Sequence, residues 1–159
     1  MILKASILFL AFLSLVSCDK KRVFDEYKSV GKSWHKDSIV SFDLPKIDTT
    51  KNYNLFLNIR DNDNYPFNNL FVIVSMEHPG GLTEVDTLEY QMAAADGTLL
   101  GDGFTDVKES KLYYKQGVKF KSGAYKVHIR QAARQTGKVA GVERLDGITE
   151  VGFRIEKLD

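Results

Sequence analysis

Hydrophobic and polar residues alternate in five separate segments of this 159-residue chain. In each segment the apolar side chains recur at every second position, and most of the residues between them are polar. A period of two turns one face of an extended strand toward a core and the other toward solvent. We therefore predict half-buried β-strands within residues 40–44, 53–60, 88–92, 125–130 and 151–156.

Four further segments indicate strands less directly. Residues 70–74 form a continuous apolar run of strand length, which predicts a central strand covered on both faces. Residues 23–27, 111–115 and 118–120 are weaker strand candidates.

Turn residues separate these segments and suggest how the strands assemble. Asparagine, aspartate, glycine and proline cluster at residues 61–66 and 78–81, and no stretch keeps a helical period over three turns. Residues 131–134 fit either a helical turn or the end of a strand. About eight short strands joined by such turns predict an all-β fold, an antiparallel sandwich. A jelly-roll arrangement is our first expectation, because two sheets of about four strands fit the count.

The beginning of the chain has the layout of a lipoprotein signal peptide. Lys4 supplies a short positive region, and residues 7–16 form an apolar run of the length used for secretion. The run is shorter than the roughly 20 apolar residues that a spanning helix needs. Leu15, Val16 and Ser17 stand directly before Cys18 and match the lipobox of lipoprotein signal peptidase. An ordinary signal peptide followed by a core cysteine, or a buried N-terminal helix, remains an alternative.

These observations divide the chain into three parts. We predict a signal peptide over residues 1–17, a lipidated N-terminus and short tether over residues 18–22, and one β-sandwich domain over residues 23–159. Cys18 is the only cysteine, so disulfides play no part. The covalent lipid on Cys18 would hold the domain to a membrane of the cell envelope. No acidic run follows Cys18, and we therefore expect the domain to face the periplasm.

The charges of the chain nearly balance, with 22 lysine and arginine residues against 21 aspartate and glutamate residues. Nucleic-acid-binding domains usually carry a basic excess, so we expect no nucleic-acid partner. Motifs for catalysis are also missing: His35, His78 and His128 lack zinc-site spacing, and the lipid would occupy the thiol of Cys18. We expect no enzyme activity, no metal and no cofactor other than the lipid.

Two pairs of residues are candidates for binding. Asp61 and Asp63 lie in a stretch with Asn62 and Asn64, whose oxygens are the ligands that calcium prefers. A turn stabilised by Asx hydrogen bonds is the alternative explanation. Trp34 and Tyr113 are candidates for contact with a ligand or partner, because exposed aromatic rings on a jelly roll often stack on sugars. Trp34 is otherwise a core residue.

Six segments of the chain carry a resemblance to a known family: residues 18–28, 34–39, 53–60, 65–71, 86–90 and 147–156. They resemble the gliding motility lipoprotein GldH family. The resemblance implies a membrane-anchored component of the gliding machinery of Bacteroidetes, linked to type IX secretion, with other gliding or secretion envelope proteins as partners. It implies no catalytic residue, and it places the lipidated cysteine of the family on Cys18.

Three hypotheses follow, in decreasing order of support. The first is a non-catalytic lipoprotein of the gliding and secretion machinery. The second is an envelope lipoprotein that binds carbohydrate, which requires exposed aromatic residues on a concave sheet face. The third is a hydrolase with two carboxylates about 5–10 Å apart in a cleft.

Overall fold

The computed structural model describes residues 18–103 and 105–159, and all the regular secondary structure in these ranges is β-strand. No helix in this part of the chain is long and apolar enough to span a membrane. The strands are β1 (Arg22–Ser29), β2 (Ser33–His35), β3 (Val40–Asp43), β4 (Tyr53–Asp61), β5 (Asn69–Glu77), β6 (Thr83–Gln91), β7 (Lys108–Val118), β8 (Lys126–Gln131), β9 (Arg144–Asp146) and β10 (Ile148–Lys157).

Two four-stranded sheets form an antiparallel sandwich. The first sheet has the order β1-β10-β4-β7 and the second has the order β3-β8-β5-β6. Chain connections cross between the sheets after β3, β4, β6 and β7, which gives the eight-stranded jelly roll. The short strands β2 and β9 pair separately, so the described residues form ten strands where the sequence predicted about eight. The predicted all-β sandwich is confirmed.

The core lies between the two sheets and consists of the apolar side chains that alternate along the strands. Leu57 of β4 stands opposite Phe153 of β10, and both are completely buried. Val74 of β5 and Ile129 of β8 are paired in the second sheet and are equally buried. Full burial of one such side chain contributes ~1.5–3 kcal/mol, so the alternation supplies the main driving force for the fold.

Two strands depart from the burial that their sequences predict. In β5, Phe71 and Ile73 are only half-buried, so the prediction of two covered faces was wrong. β5 does lie inside its sheet, but the outer face of that sheet is partly open to solvent. In β4, Phe56 and Asn58 were expected on the solvent face, yet they are 3% and 4% exposed. Side chains from neighbouring strands cover that face.

The loops form two opposite ends of the sandwich. We call the end that contains Cys18 the anchor end; it comprises residues 18–21, 44–52, 78–82, 119–125 and 158–159. The other, the distal end, comprises the connections after β1, β2, β4, β6 and β8. Strands of about nine residues separate the ends by about 30 Å, at roughly 3.3 Å per residue.

Gly147 lies in the turn between β9 and β10 and packs closely against the distal loop after β4. It joins β9 to β10 with a φ of 85°, and a Cβ atom added there would lie 2.2 Å from the backbone nitrogen of Tyr65. We expect Gly147→Ala to lower the free energy of unfolding by about 2 kcal/mol, because it adds a steric clash to the left-handed conformation. Gly137→Ala is the control in a urea titration, since φ is 81° and nothing lies within 4 Å of the added atom. Equal losses in the two variants would show that the clash is relieved without cost.

Candidate functional site

Cys18 lies at the anchor end with an exposed, free thiol. It immediately precedes the folded sandwich, because β1 starts at Arg22. The predicted signal peptide, residues 1–17, lies outside the described residues and remains a prediction. The exposed position of Cys18 is the one that covalent attachment of a lipid requires.

The residues after Cys18 contact the sandwich directly. The carboxylate of Asp19 accepts a hydrogen bond from the guanidinium of Arg154, and this bond lowers the pKa of Asp19 below its usual value. The carbonyl of Lys21 accepts a hydrogen bond from the backbone N–H of Lys157 at 2.8 Å. The segment predicted as a tether is thus connected to β10 on both sides of Lys20.

Arg154 organises a cluster of acids on the outer face of the first sheet. Besides Asp19, it donates to Asp25 at 2.7 Å and to Glu156 at 3.0 Å. Lys111 donates to the same Glu156 at 2.5 Å. Burial acts to raise the pKa of Glu156, but the hydrogen bonds from Lys111 and Arg154 outweigh it and the pKa is lowered. The cluster connects Asp19, the residue after Cys18, to β1, β10 and β7.

Replacing Arg154 is expected to weaken the domain, whereas replacing Asp19 is not. The side chain of Arg154 is 14% exposed, and its loss leaves Asp25 without its cation and Glu156 with Lys111 alone. We expect Arg154→Met to cost about 2 kcal/mol of unfolding free energy, because partly buried charges lose their partner. Asp19 is exposed, so Asp19→Asn should cost much less than Arg154→Met. Chemical denaturation measures both, and similar losses would contradict a central role for Arg154.

A second polar cluster lies on the same sheet face, nearer the distal end. Arg60 pairs with Glu150 and lies 3.6 Å from Glu109, and its guanidinium stacks on the ring of Tyr27 at 4.0 Å. Tyr27 donates to Glu109, and burial raises the pKa of Tyr27. Gly152 gives the ring its space, since an added Cβ would lie 3.0 Å from Tyr27 Cδ1. Neither cluster was predicted from the sequence.

The two aromatic contact candidates, Tyr113 and Trp34, differ in exposure to solvent. Tyr113 is 55% exposed and packs on Phe56 with ring centroids 4.7 Å apart, so its ring remains accessible for a partner. Trp34 is completely buried, and its indole N–H donates to the carbonyl of Ser38 at 2.8 Å. This burial shows that the prediction of Trp34 as a ligand contact was wrong: Trp34 is a core residue.

The calcium candidates do not form a ligand set. Asp61 is the last residue of β4 and is fully buried, and neither of its carboxylate oxygens has a hydrogen-bond partner, whereas Asp63 is exposed. The backbone N–H of Asn64 donates to the side chain of Asn62 at 3.0 Å, as the alternative of an Asx turn requires. Within residues 18–103 and 105–159, no three His, Cys, Asp or Glu side chains are grouped to hold a metal.

A surface cavity of about 740 Å³ opens at the distal end. Phe67, Asn69 and Gln91 contribute to its lining. The amide of Asn69 donates to Glu89, and that of Gln91 donates to the carbonyl of Ala93. These two amides are therefore committed to bonds within the protein.

Fold and site together define a class: an antiparallel jelly-roll domain that carries an exposed cysteine beside its first strand. The sequence model described as GldH lipoprotein matches residues 22–155. The chain belongs to this family, and the resemblance identified from its sequence is confirmed.

Similar proteins cover nearly the whole chain. "Gliding motility lipoprotein GldH" of Flavobacterium johnsoniae is 71% identical over 155 residues, which is 98% of this chain and 97% of that protein. "Gliding motility lipoprotein GldH homolog" of Christiangramia forsetii is 58% identical over 144 residues, covering 90% of this chain and 88% of that protein. Among solved structures, the VP2 subviral particle of infectious bursal disease virus gives a TM-score of 0.33 at 13% identity, covering 87% of this chain and 34% of that one.

Proposed function

We propose that this protein is a non-catalytic lipoprotein of the bacterial gliding motility machinery, associated with type IX secretion, and that lipid on Cys18 anchors it in the cell envelope facing the periplasm. The observation that carries the proposal is the 71% identity, over almost the full length of both chains, to a protein named for gliding motility. The exposed thiol beside β1 gives the lipid its attachment point.

The mechanism is tethering. Each buried methylene of an acyl chain adds ~0.8 kcal/mol of membrane affinity, and two chains anchor a protein stably. Confinement to the membrane surface raises the effective concentration of the domain near other envelope proteins. The sandwich then needs only a modest contact area to join an assembly.

The outer face of the second sheet is suited to that contact. β6 is an edge strand, and Val85 on it is 62% exposed. Phe71 and Ile73 of the adjoining β5 are half-buried on the same face. Apolar side chains grouped on an open sheet face are typical of surfaces that bind protein.

A serine, a histidine and a glutamate on that face need a separate comment. Ser41 lies 2.7 Å from Nδ1 of His128, whose Nε2 lies 3.5 Å from Glu77. Enzymes that use such residues hold the serine in a water-restricted cleft with donors for the developing oxyanion. Here the three stand on neighbouring strands of an open face, with the side chains of His128 and Glu77 28% and 52% exposed. We therefore assign them to the protein-binding surface.

Crosslinking in intact cells, followed by affinity capture of the full-length protein, tests this function. Capture should recover other gliding or secretion envelope proteins, and Cys18→Ala should reduce that recovery. The variant His128→Gln should still support gliding if the role is non-catalytic. Recovery of glycan alone would instead favour the carbohydrate-binding hypothesis, and loss of gliding with normal capture in His128→Gln would favour an enzyme.

A further inference from the structure

The two ends of the sandwich carry opposite charge. The anchor-end loops combine six lysines with three aspartates, and acidic residues outnumber basic ones in the distal loops. The anchor-end lysines are Lys20, Lys21, Lys46, Lys51, Lys119 and Lys121. The distal acids are Asp37, Asp63, Asp96, Asp102, Asp106 and Glu143, against the distal cations Lys32, Lys36, Arg134 and Lys138.

The three aspartates of the anchor end are already engaged within the protein. Asp19 is bonded to Arg154, and Asp159 lies 3.2 Å from the ammonium of Lys21. The carboxylate of Asp48 accepts bonds from the backbone and the hydroxyl of Thr50 at 2.9 and 2.6 Å.

Four exposed lysines at this end have no such partner. Within the described part of the chain, no carboxylate lies within salt-bridge distance of Lys46, Lys51, Lys119 or Lys121. The positive potential of this end is therefore directed outward.

Buried residues hold the lysine-bearing loops in place. Phe120 lies between Lys119 and Lys121, is 3% exposed and packs on Tyr53 and Tyr125 at 5.6 and 5.0 Å between ring centroids. Ile47, next to Lys46, is 8% exposed. The hydroxyl of Tyr53 also donates to the carbonyl of Asp48 at 2.9 Å. The lysines thus belong to a fixed surface.

The lipid site lies at this same end and within reach of the lysines. The bonds that Arg154 donates to Asp19 and that the backbone N–H of Lys157 donates to Lys21 keep the chain beside β10 from its second described residue onward. Acyl chains inserted in a bilayer would bring the anchor end to the level of the lipid headgroups. The distal end, about 30 Å away, would lie beyond the ~8 Å over which salt screens the surface potential.

We infer that the anchor end is a second, electrostatic membrane contact, in which Lys46, Lys51, Lys119 and Lys121 bind the phosphates of anionic lipid headgroups. This contact rests on the proposed lipid anchor at Cys18. It holds the sandwich upright, with the distal end and the outer face of the second sheet free for protein partners. Lysine ammonium groups near an anionic surface are attracted to it, whereas the acidic distal end would be repelled if it approached that surface.

Lysine footprinting on vesicles tests the inference with the full lipidated protein. The protein is reconstituted into phosphatidylcholine vesicles with or without 30% phosphatidylglycerol, acetylated briefly and digested for mass spectrometry. We expect Lys46, Lys51, Lys119 and Lys121, and the neighbouring Lys20 and Lys21, to react about threefold more slowly when phosphatidylglycerol is present. Lys32, Lys36 and Lys138 at the distal end are the internal control and should react equally on both vesicles. Salt at 0.5 M should abolish the difference.

Two matched variants connect the protection to charge. Replacing Lys46, Lys51, Lys119 and Lys121 by glutamine should remove the phosphatidylglycerol-dependent protection of Lys20 and Lys21. Replacing Lys32, Lys36 and Lys138 by glutamine should leave it unchanged. Equal protection of the lysines at both ends would overturn the membrane contact. So would the absence of any protection while the protein still floats with its vesicles, and either result would leave the lipid anchor in place. Failure of the wild-type protein to float would instead overturn the anchor at Cys18.

Discussion

Replacing Cys18 by serine is expected to abolish the incorporation of labelled fatty acid into the protein. The thiol of Cys18 is the only one in the chain, and a serine hydroxyl at this position is not a substrate for the thioether linkage. Without acyl chains, the affinity of ~0.8 kcal/mol per buried methylene disappears. The polar attractions of the anchor end alone are too weak to retain the domain on a membrane in the presence of salt.

The measurement must separate lipidation from simple retention of the leader. A leader that is not cleaved keeps the apolar run of residues 7–16, which itself can hold a protein at a membrane. Fatty-acid labelling and the intact mass are therefore the decisive readouts, and fractionation is secondary. Asp19→Asn is the matched control, since it alters the neighbouring residue and keeps the thiol. Equal labelling of wild type and Cys18→Ser would remove the anchor from the proposed function.

Strands were predictable where alternation continues for enough residues to be recognised. The alternating segments in β4, β8 and β10 all face the core with the predicted apolar positions. β2 and β9 have three residues each, which is too few for a period of two to show. The candidate at 111–115 lies within β7, whose register shifts opposite β4 interrupt its pattern. The candidate at 118–120 was wrong beyond Val118, because β7 ends there and a loop begins.

The outer face of the first sheet was not predictable, because its partners are distant in sequence. Arg154 is hydrogen-bonded to Asp25, which lies 129 positions away in the sequence, and to Asp19, which lies 135 positions away. The burial of Asn58 was missed for the same reason, because Asp25, which contacts it over the sheet, belongs to another strand 33 positions away. The anchor-end lysines could not be grouped either, since only the jelly-roll connections bring residues 46–51 and 119–121 to the end that contains Cys18. The net charge of +1 gives no sign that basic and acidic loops lie at opposite ends of the sandwich.

Asp61 shows the limit of interpreting a polar run as a loop. The sequence places it with Asn62 and Asp63, yet β4 continues through Asp61 and turns its side chain into the interior. Burial raises the pKa of Asp61 to about 7 against the opposing effect of the residue's own backbone N–H; the nearby charge of Asp63 adds to the shift, and Lys108 opposes it. Tyr65 also lies close enough for the two groups to influence each other. A buried carboxylate with no hydrogen-bond partner is neutral below that pKa and costly to the fold above it.

The raised pKa predicts that the domain loses stability as the pH rises. An unfolded aspartate ionises near 3.8 and the folded one near 7, so between these values only the folded state keeps the proton. The penalty from this residue is absent below about pH 4, grows through that window and is complete above about pH 7. Because one pKa unit corresponds to 1.36 kcal/mol, wild type should lose about 3 kcal/mol between pH 5 and pH 8 through Asp61.

Asp61→Asn isolates that contribution, because the amide has the shape of the protonated acid and does not titrate. The free energy of unfolding of the variant, relative to wild type, should increase by about 3 kcal/mol from pH 5 to pH 8 in guanidinium titrations. All other titrating groups are shared and cancel in the difference. Asp63→Asn is the control, since Asp63 is exposed and its removal should shift stability by less than about 0.5 kcal/mol. Parallel pH curves for wild type and Asp61→Asn would mean that Asp61 is ionised in the folded protein throughout this range, held by a partner such as the ammonium of Lys108.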